Sequence, residues 1–346
     1  MINKVLAIET SCDDTSVAIV DYVGTVLSLV SRSQDLEHSP YGGIVPEIAS
    51  RNHTSALLPL IEEALQKANL NWQDIQGIAV TNRPGLIGAL IVGLVTAKSL
   101  AQTLSLPIIG VNHLEGHLLA PFLRDSEFSP PADFGYPYIG LAISGGHTSL
   151  YHIEGLGQYK ILGATKDDAA GEAFDKFAKM VGLGFPGGAK VDHEAKSGNP
   201  KAYDFPRSMI LDDSLDMSFS GLKSAAQRLV TQLGPDEVKK NLADLCASYQ
   251  AAIVDVLLAK IEKAAQQLKM KKIILTGGVS ANSSLRKRAQ EMSQKKNFQL
   301  VIPPLKYCTD NAAMIGYAGI LRLNQGERHD MRLAPSPQVW DQDFKS

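Results

Sequence analysis

Two histidines stand four residues apart, His113 and His117, in "VNHLEGHLLAP" (residues 111–121). The preceding "PIIGV" reads as a buried strand, Asn112 as a helix N-cap and Pro121 as the stop. On a helix this spacing puts both imidazoles on one face, where they can reach a single ion. The zinc-protease pattern HExxH has the same spacing, but there the glutamate directly follows the first histidine and acts as general base. Glu115 lies two positions on, about 200° round the helix, so the protease mechanism lacks its base. A surface pair of histidines is the competing reading. A carboxylate would complete the set for a hard or borderline ion, and Asp310 in "YCTDNAAMIGYAGIL" is the candidate. Asp310 opens a helix, so a plain N-cap role stands equally open. Cys308 nearby reads as a structural thiol rather than a soft ligand.

A second kind of chemistry is suggested by glycine-rich turns. "TGGVSAN" lies between a strand and a helix, where backbone N–H groups can approach an anion at the helix amino terminus. "SGGHTS" offers Ser144, two glycines and Thr148 as another cradle. Each turn alone is ordinary turn chemistry; several in one chain point to a nucleotide-like ligand. Neither a P-loop lysine motif nor a GxGxxG fingerprint follows a strand.

The elements that would position these groups come in pairs. Leu6–Val20, "LAIETSCDDTSVAIV", resembles Leu141–Ile153, "LAISGGHTSLYHI": an apolar strand, a polar turn, then "TS" opening a second strand. "IAVTNRPGLIGALIVGL" from Ile78 parallels "IILTGGVSANSSLRKRA" from Ile273. The order is kept, so the chain reads as two copies of one α/β unit, with an insertion at about 155–245 in the second. The expected boundaries are 1–127, 128–325 and a tail, 326–346, with the Pro-rich "RDSEFSPPADFGYP" as linker. A nucleotide cleft is expected between two such domains. A length of 346 residues agrees with about two domains.

Composition narrows the class. A net charge of −2 exerts no global pull on nucleic acid, so any polyanion site must be local. Three widely spaced cysteines, Cys12, Cys246 and Cys308, argue against a disulfide framework and for a reducing compartment. The amino terminus enters a strand-like run without signal-peptide architecture. "LIGALIVGLVTA" stops short of the roughly 20 residues a spanning helix needs, so a cytoplasmic protein with no membrane role is expected.

Taken together, "IETSCDDTS", "YGGIVPEIASRNH", "HLEGHLLAP", "SGGHTSL", "DDAAGEAFDK", "PGG", "SFSGLKS", "TGGVSANSSLR" and "CTDNAAMI" resemble the bacterial tRNA N6-adenosine threonylcarbamoyltransferases (TsaD family), in order from about residue 4 to 320. The resemblance implies an actin-like, sugar-kinase-like (ribonuclease H-like) fold of two duplicated domains. It also implies a reaction: the threonylcarbamoyl group of threonylcarbamoyl-AMP passes to N6 of adenosine 37 in tRNAs that read ANN codons, and AMP leaves. Carried over by position, His113, His117 and Asp310 match ligands of one divalent ion, iron (Fe2+) or zinc (Zn2+). Ala142, Ile143, Ser144, Gly145 and Gly146 match the substrate loop; Asp175, Gly188 and Asn282 match positions that hold the adenylate, and Asp192 one that contacts it. The competing roles are an exposed-helix salt bridge for Asp175, with Glu172 and Lys176 already paired, and capping for Asn282. The open positions of the ion could polarise the acyl carbonyl. Asp13, Asp14 and His147 are the candidates to take the N6 proton, although adjacent acids in a turn are commonly just solvated.

The family's implied partners are the anticodon loop of tRNA, an inactive paralogue of the same fold and a small ATPase. An unstacked loop adenine is chemically reachable. A basic run, Lys269, Lys271, Lys272, Arg286, Lys287, Arg288, Lys295 and Lys296, could track phosphates or be a solvated helix face. The chain departs from the family pattern at Arg83 (usually Gly), at Ala189 and Lys190 (commonly Pro and an apolar residue) and at Asp14 (frequently Glu). The rival readings are an actin-like small-molecule kinase or ATPase, a metalloprotease, and a non-catalytic scaffold.

Overall fold

Strand β1, Lys4–Glu9, is apolar from Val5 to Ile8, and from Val5 on every position is buried. That is what a central strand covered on both faces requires. In the computed structural model, which describes residues 1–338, β1 pairs antiparallel with β2 (Thr15–Asp21), which pairs antiparallel with β3 (Val26–Arg32). On its other side β1 runs parallel to β4 (Ile78–Arg83), and β4 parallel to β5 (Ile108–Asn112). The sheet order is β3-β2-β1-β4-β5.

The second sheet repeats this plan. Strand β6 (Tyr138–Ile143) pairs antiparallel with β7 (Thr148–Gly155), and β7 with β8 (Gln158–Ala164). Across its other edge β6 runs parallel to β9 (Lys272–Thr276), and β9 to β10 (Gln299–Val301). The order β10-β9-β6-β7-β8 is the first sheet strand for strand. The duplication expected from the paired segments is therefore present in topology, with an acid-bearing hairpin turn in the first sheet and a glycine-bearing one in the second.

Contacts divide the chain into two compact units: Met1–Asp133 with the stretch from Pro303 onward, and Phe134–Ile302. This corrects the expected boundaries. The break falls after Asp133, inside the Pro-rich stretch, and the residues from Pro303 to 325 belong with the first unit instead of the second. The expected insertion also begins too early, because 158–164 is β8, the counterpart of β3. Residues after 165 supply the helices Ala170–Met180, Gly188–Ala195 and Ser220–Lys240. Of the expected tail, residues 329–336 lie along the first unit: the His329 amide donates to Ile108 O and the Ser336 amide to Asn82 O. Residues 339–346 lie outside the described residues.

In the first unit, side chains alternate across the sheet. Leu6, Ile8, Val17, Ile19, Ile78 and Val80 join the core with Leu57, Ile61 and Leu94 of the helices Pro46–Ala68 and Ile87–Leu104. The other face receives the helix Ala312–Asn324, which packs on β1, β2, β4 and β5. Gly316 and Gly319 allow that approach, since a Cβ on Gly319 would sit 2.5 Å from the Cβ of Ala79 and one on Gly316 2.9 Å from Val20. The second unit is built around the helix Leu242–Leu268. Its Tyr249 stacks on Phe177 at 3.9 Å and donates to Ala173 O. Ile87–Leu104 and Leu242–Leu268 are long and apolar enough to cross a membrane by length and composition alone. The first is longer than the apolar run suggests because half-buried Lys98 and exposed Ser99 and Gln102 continue it. Leu242–Leu268 is the principal core helix of its unit.

Candidate functional site

The β5 strand ends at Asn112, whose side-chain oxygen accepts from the Leu114 amide at 2.9 Å and starts the helix His113–Leu119. His113 and His117 therefore stand one turn apart, both buried. They lie within the first unit, and so does Asp310. The carboxylate closing the set comes from the same compact unit as the histidines, not from the second repeat. Asp310 Oδ1 is 3.2 Å from His113 Nε2 and 3.2 Å from His117 Nε2. Atoms bonded at about 2.0–2.1 Å to one tetrahedral ion lie ~3.3 Å apart, so the donor set fits a small divalent cation. The three ligand atoms lie within 4.8 Å of one another. Asp310 is also free of the capping role: Asn311 is the N-cap of Ala312–Asn324, its side chain accepting from the Met314 amide at 3.0 Å.

A fourth group was not anticipated. Glu9, fully buried at the end of β1, places Oε2 2.9 Å from His113 Nδ1. Its signal in the sequence is an acid that directly follows the apolar run Val5–Ile8 of a central strand. Burial pushes the Glu9 carboxyl up, but the His113 charge and hydrogen bond outweigh it and leave Glu9 below the ordinary range. Burial likewise opposes ionisation of Asp310, yet His113 and His117 hold it well below the ordinary carboxylate range. For His113, burial disfavours the cation while Asp310 and Glu9 carry it well above the usual imidazole value. Burial lowers His117, favouring the neutral ring that a metal needs. Without metal the set is thus two carboxylates closed by one imidazolium, and ion binding must displace that proton.

Glu115, which its spacing keeps from acting as a protease base, has a structural partner. Glu115 is buried and gripped by Arg322 of the Ala312–Asn324 helix, with Nε–Oε2 2.7 Å and Nη2–Oε1 2.8 Å. A bidentate pair of this kind fastens two helices together and leaves no carboxylate for general-base work.

Asp13 and Asp14 occupy the turn between β1 and β2. Asp14 lines a surface groove with Ser31, Ser33, Thr309, Asn311 and Asp310. Burial, then the charges of Asp13 and Asp310, push Asp14 up to about 7. Asp13 is also raised, burial being the largest cause. A raised folded-state pKa means that Asp14 lowers stability increasingly as pH rises from the ordinary 3.8 to about 7, and has no effect below both. In chelated protein Asp14→Asn is therefore expected to raise the melting temperature at pH 8, with the gain shrinking toward zero near pH 4. An equal gain at both pH values would show that the charge is not the cause.

His147 lies in the β6–β7 turn of the second unit, and the Asp13/Asp14 turn belongs to the first. Its amide donates to Ser144 Oγ at 3.1 Å, and the Ser144 amide to His147 O at 2.8 Å. Ala142 and Ile143 end β6, and Ser144, Gly145 and Gly146 form the turn itself. Two close approaches hold that turn. A Cβ on Gly171 would fall 2.5 Å from Ser144 O, and one on Gly277, at φ +85°, 2.4 Å from Ile143 O. Gly145, Gly146 and Gly278 face open space, and Gly188 has only Phe174 at 4.0 Å, so bare backbone is presented there.

The remaining expected adenylate residues have protein partners. Lys176 pairs with Glu172, and Asp175 Oδ1 accepts from the Gly187 amide at 2.7 Å, shaping the "PGG" turn beside Gly188. Asp192 accepts from the Ser283 amide and hydroxyl. Asn282 both caps the helix Ser283–Lys296, accepting from the Leu285 amide at 2.9 Å, and donates to Gln250 Oε1 at 2.6 Å. Within the same turn Thr276 Oγ1 and Ser280 Oγ are buried without a partner among the described residues.

The basic run does not form one free face. Arg288 pairs with Asp255, Lys296 with Glu262, Lys272 donates to Gly135 O and Arg286 to Ser280 O. Lys287 lines a groove with Lys196, Lys201 and Arg207 instead. Of the departures, Arg83 donates to Asn82 Oδ1, Ala189 is exposed, and Lys190 bonds Leu183 O and Phe185 O across its loop. The three cysteines are free thiols.

Comparison with known proteins bears on this arrangement. A family model described as tRNA N6-adenosine threonylcarbamoyltransferase matches residues 25–317. A protein of that name from Bdellovibrio bacteriovorus is 72% identical over 345 residues, covering 100% of both chains. One from Sorangium cellulosum is 49% identical over 344 residues, covering 97% of this chain and 96% of its own. Among solved structures, full-length HypF in its phosphate- and nucleotide-bound form aligns with a TM-score of 0.59 at 12% identity, over 94% of this chain and 47% of that one. The (R)-2-hydroxyglutaryl-CoA dehydratase component A of Acidaminococcus fermentans aligns with a TM-score of 0.53 at 13% identity, over 93% and 99%. At such identities these two likenesses speak for the fold alone.

Proposed function

The chain belongs to the tRNA N6-adenosine threonylcarbamoyltransferase family, and from that premise we propose that it moves the threonylcarbamoyl group of threonylcarbamoyl-AMP to N6 of adenosine 37 in tRNAs that read ANN codons. It is an acyltransferase acting on tRNA. In the proposed step the N6 lone pair forms a C–N bond to the acyl carbon. The C–O bond to the phosphate breaks, AMP leaves with that electron pair, and one proton is lost from N6.

The observation that carries this reading is the convergence of His113 Nε2, His117 Nε2 and Asp310 Oδ1 at 3.2 Å contacts. A ferrous or zinc ion held by these three would act as a Lewis acid on the acyl carbonyl. The backbone of Ala142 to Gly146, with Gly188, would lie along the adenylate, and Asp175, Asp192 and Asn282 would fix the turns that border it. Asp14 is the preferred acceptor of the N6 proton, with Asp13 and His147 as the other candidates. Its value of about 7 is that of a base matched to neutral pH, and a cation on Asp310 would draw it somewhat lower. An inactive paralogue of the same fold and a small ATPase are the proposed protein partners. A cytoplasmic location is supported by three free thiols.

The test is reconstitution: metal-loaded protein, threonylcarbamoyl-AMP, unmodified ANN-decoding tRNA and both partners, with nucleosides read by mass spectrometry. Threonylcarbamoyladenosine at position 37 is expected, with AMP released in equal amount. Absence of the product with metal bound and all components present would refute the assignment.

A further inference from the structure

We propose that Glu9 is a positioning residue that sets the tautomer of His113, holding the proton on Nδ1 so that the Nε2 lone pair is free for metal. The inference rests on reading His113, His117 and Asp310 as ligands. It starts from the way the Glu9 carboxylate is surrounded. Oε1 accepts from the Ser11 amide at 2.5 Å, and Oε2 from the Thr81 hydroxyl at 2.5 Å. Both partners are buried, and Glu9 itself is 0% exposed. An ionised carboxylate only accepts hydrogen bonds, so the His113 Nδ1 that lies 2.9 Å from Oε2 must present N–H. Ser11 Oγ, at 3.3 Å from the same nitrogen, is the longer contact. With Nδ1 protonated, Nε2 is the atom left to face Asp310.

Metal-bound histidines commonly donate their second N–H to a carboxylate, which fixes the ring and raises its basicity. The two ligands differ here. His117 Nδ1 is buried without a partner among the described residues, so only one of the two rings has a carboxylate on its Nδ1 side. The same Glu9 carboxylate ties down the Ser11 amide at the start of the turn that carries Asp13 and Asp14. Ring orientation and turn geometry thus share one anchor at the end of β1.

Glu9→Gln separates the tautomer effect from a purely structural one. The Ser11 amide keeps the glutamine carbonyl oxygen on its side. The NH2 then faces Thr81 Oγ1, which can accept, and His113 Nδ1, which is forced to accept. The proton moves to Nε2, the atom a metal needs bare. In metal-buffered titrations of the full chain, Glu9→Gln is expected to bind zinc about 10–100-fold more weakly than the parent. In zinc-loaded parent protein, nitrogen-15 NMR should show His113 carrying its proton on Nδ1. That measurement needs no variant, and finding Nε2–H there overturns the proposal even if Glu9→Gln fails to fold. Parent-like zinc affinity in a folded Glu9→Gln chain overturns it as well. If His113→Ala with His117→Ala binds zinc like the parent, the ligand reading itself fails and the role of Glu9 falls with it.

Discussion

Chains carrying His113→Ala together with His117→Ala are expected to purify without stoichiometric metal and to transfer threonylcarbamoyl at least about 10³-fold more slowly than the parent. The expectation follows from what would remain. Asp310 alone is a single partly exposed carboxylate, and one oxygen ligand does not hold a ferrous or zinc ion against water. Polarisation of a carbonyl by a bound ion contributes several kcal/mol to a transition state, and each ~1.4 kcal/mol is tenfold in rate. The double change also leaves Glu9 buried without its imidazole, so a folding control by circular dichroism belongs with the assay. His117→Ala alone separates the two effects, because it leaves the Glu9–His113 contact in place. It too should lose metal, read by mass spectrometry of the desalted protein. Parent-level transfer by the metal-free double variant would remove the metal from the mechanism.

The second large effect is on stability. Arg322→Ala is expected to cost about 3–5 kcal/mol, because it removes the guanidinium that meets both oxygens of a buried carboxylate. The Glu115 side chain is 2% exposed, and both of its oxygens are met by the guanidinium. The same arginine reaches Glu327 at 2.7 Å, an exposed contact worth far less. The cost should appear as a lower urea midpoint with an unchanged slope. Glu115→Gln combined with Arg322→Met should recover much of it, since an apolar or neutral replacement of both partners removes the stranded charge. A loss of under 1 kcal/mol in Arg322→Ala would mean that water reaches Glu115 and that the pair does not fasten the two helices. Because Glu115 sits between His113 and His117 in sequence, loosening this pair should also weaken zinc binding.

Much of this arrangement can be read along the chain, and the reason is local. Apolar runs of three to six residues ending in polar turns announce β1, β4, β5, β6 and β9. The Asn112 cap and the four-residue histidine spacing announce a helix with both rings on one face. These signals depend on neighbours within a turn or a strand's pleat. Strand β8, "QYKILGA", is less visible because as an edge strand it exposes Gln158, Lys160 and Ile161, and a pattern so polar reads as the start of an insertion. The expected adenylate positions were found by motif, but Asp175, Asp192 and Asn282 turn out to spend hydrogen-bonding capacity on the protein's own turns.

By itself, then, the sequence determined two copies of an α/β unit, a helix presenting two imidazoles, glycine turns with bare backbone, and the family. Only the tertiary structure decided which groups meet. Glu9 and His113 are 104 residues apart and Glu115 and Arg322 are 207, separations at which no periodicity carries information. Asp310 joins the histidines because the chain after Pro303 returns to pack a glycine-notched helix on the first sheet, and that return is driven by burial of apolar surface, which has no direction in sequence. Spacing alone keeps Glu115 off the histidine face of "HLEGH". What only the tertiary structure decided is the role it has instead, because a buried glutamate's role is set by what lies opposite, and opposite Glu115 is Arg322.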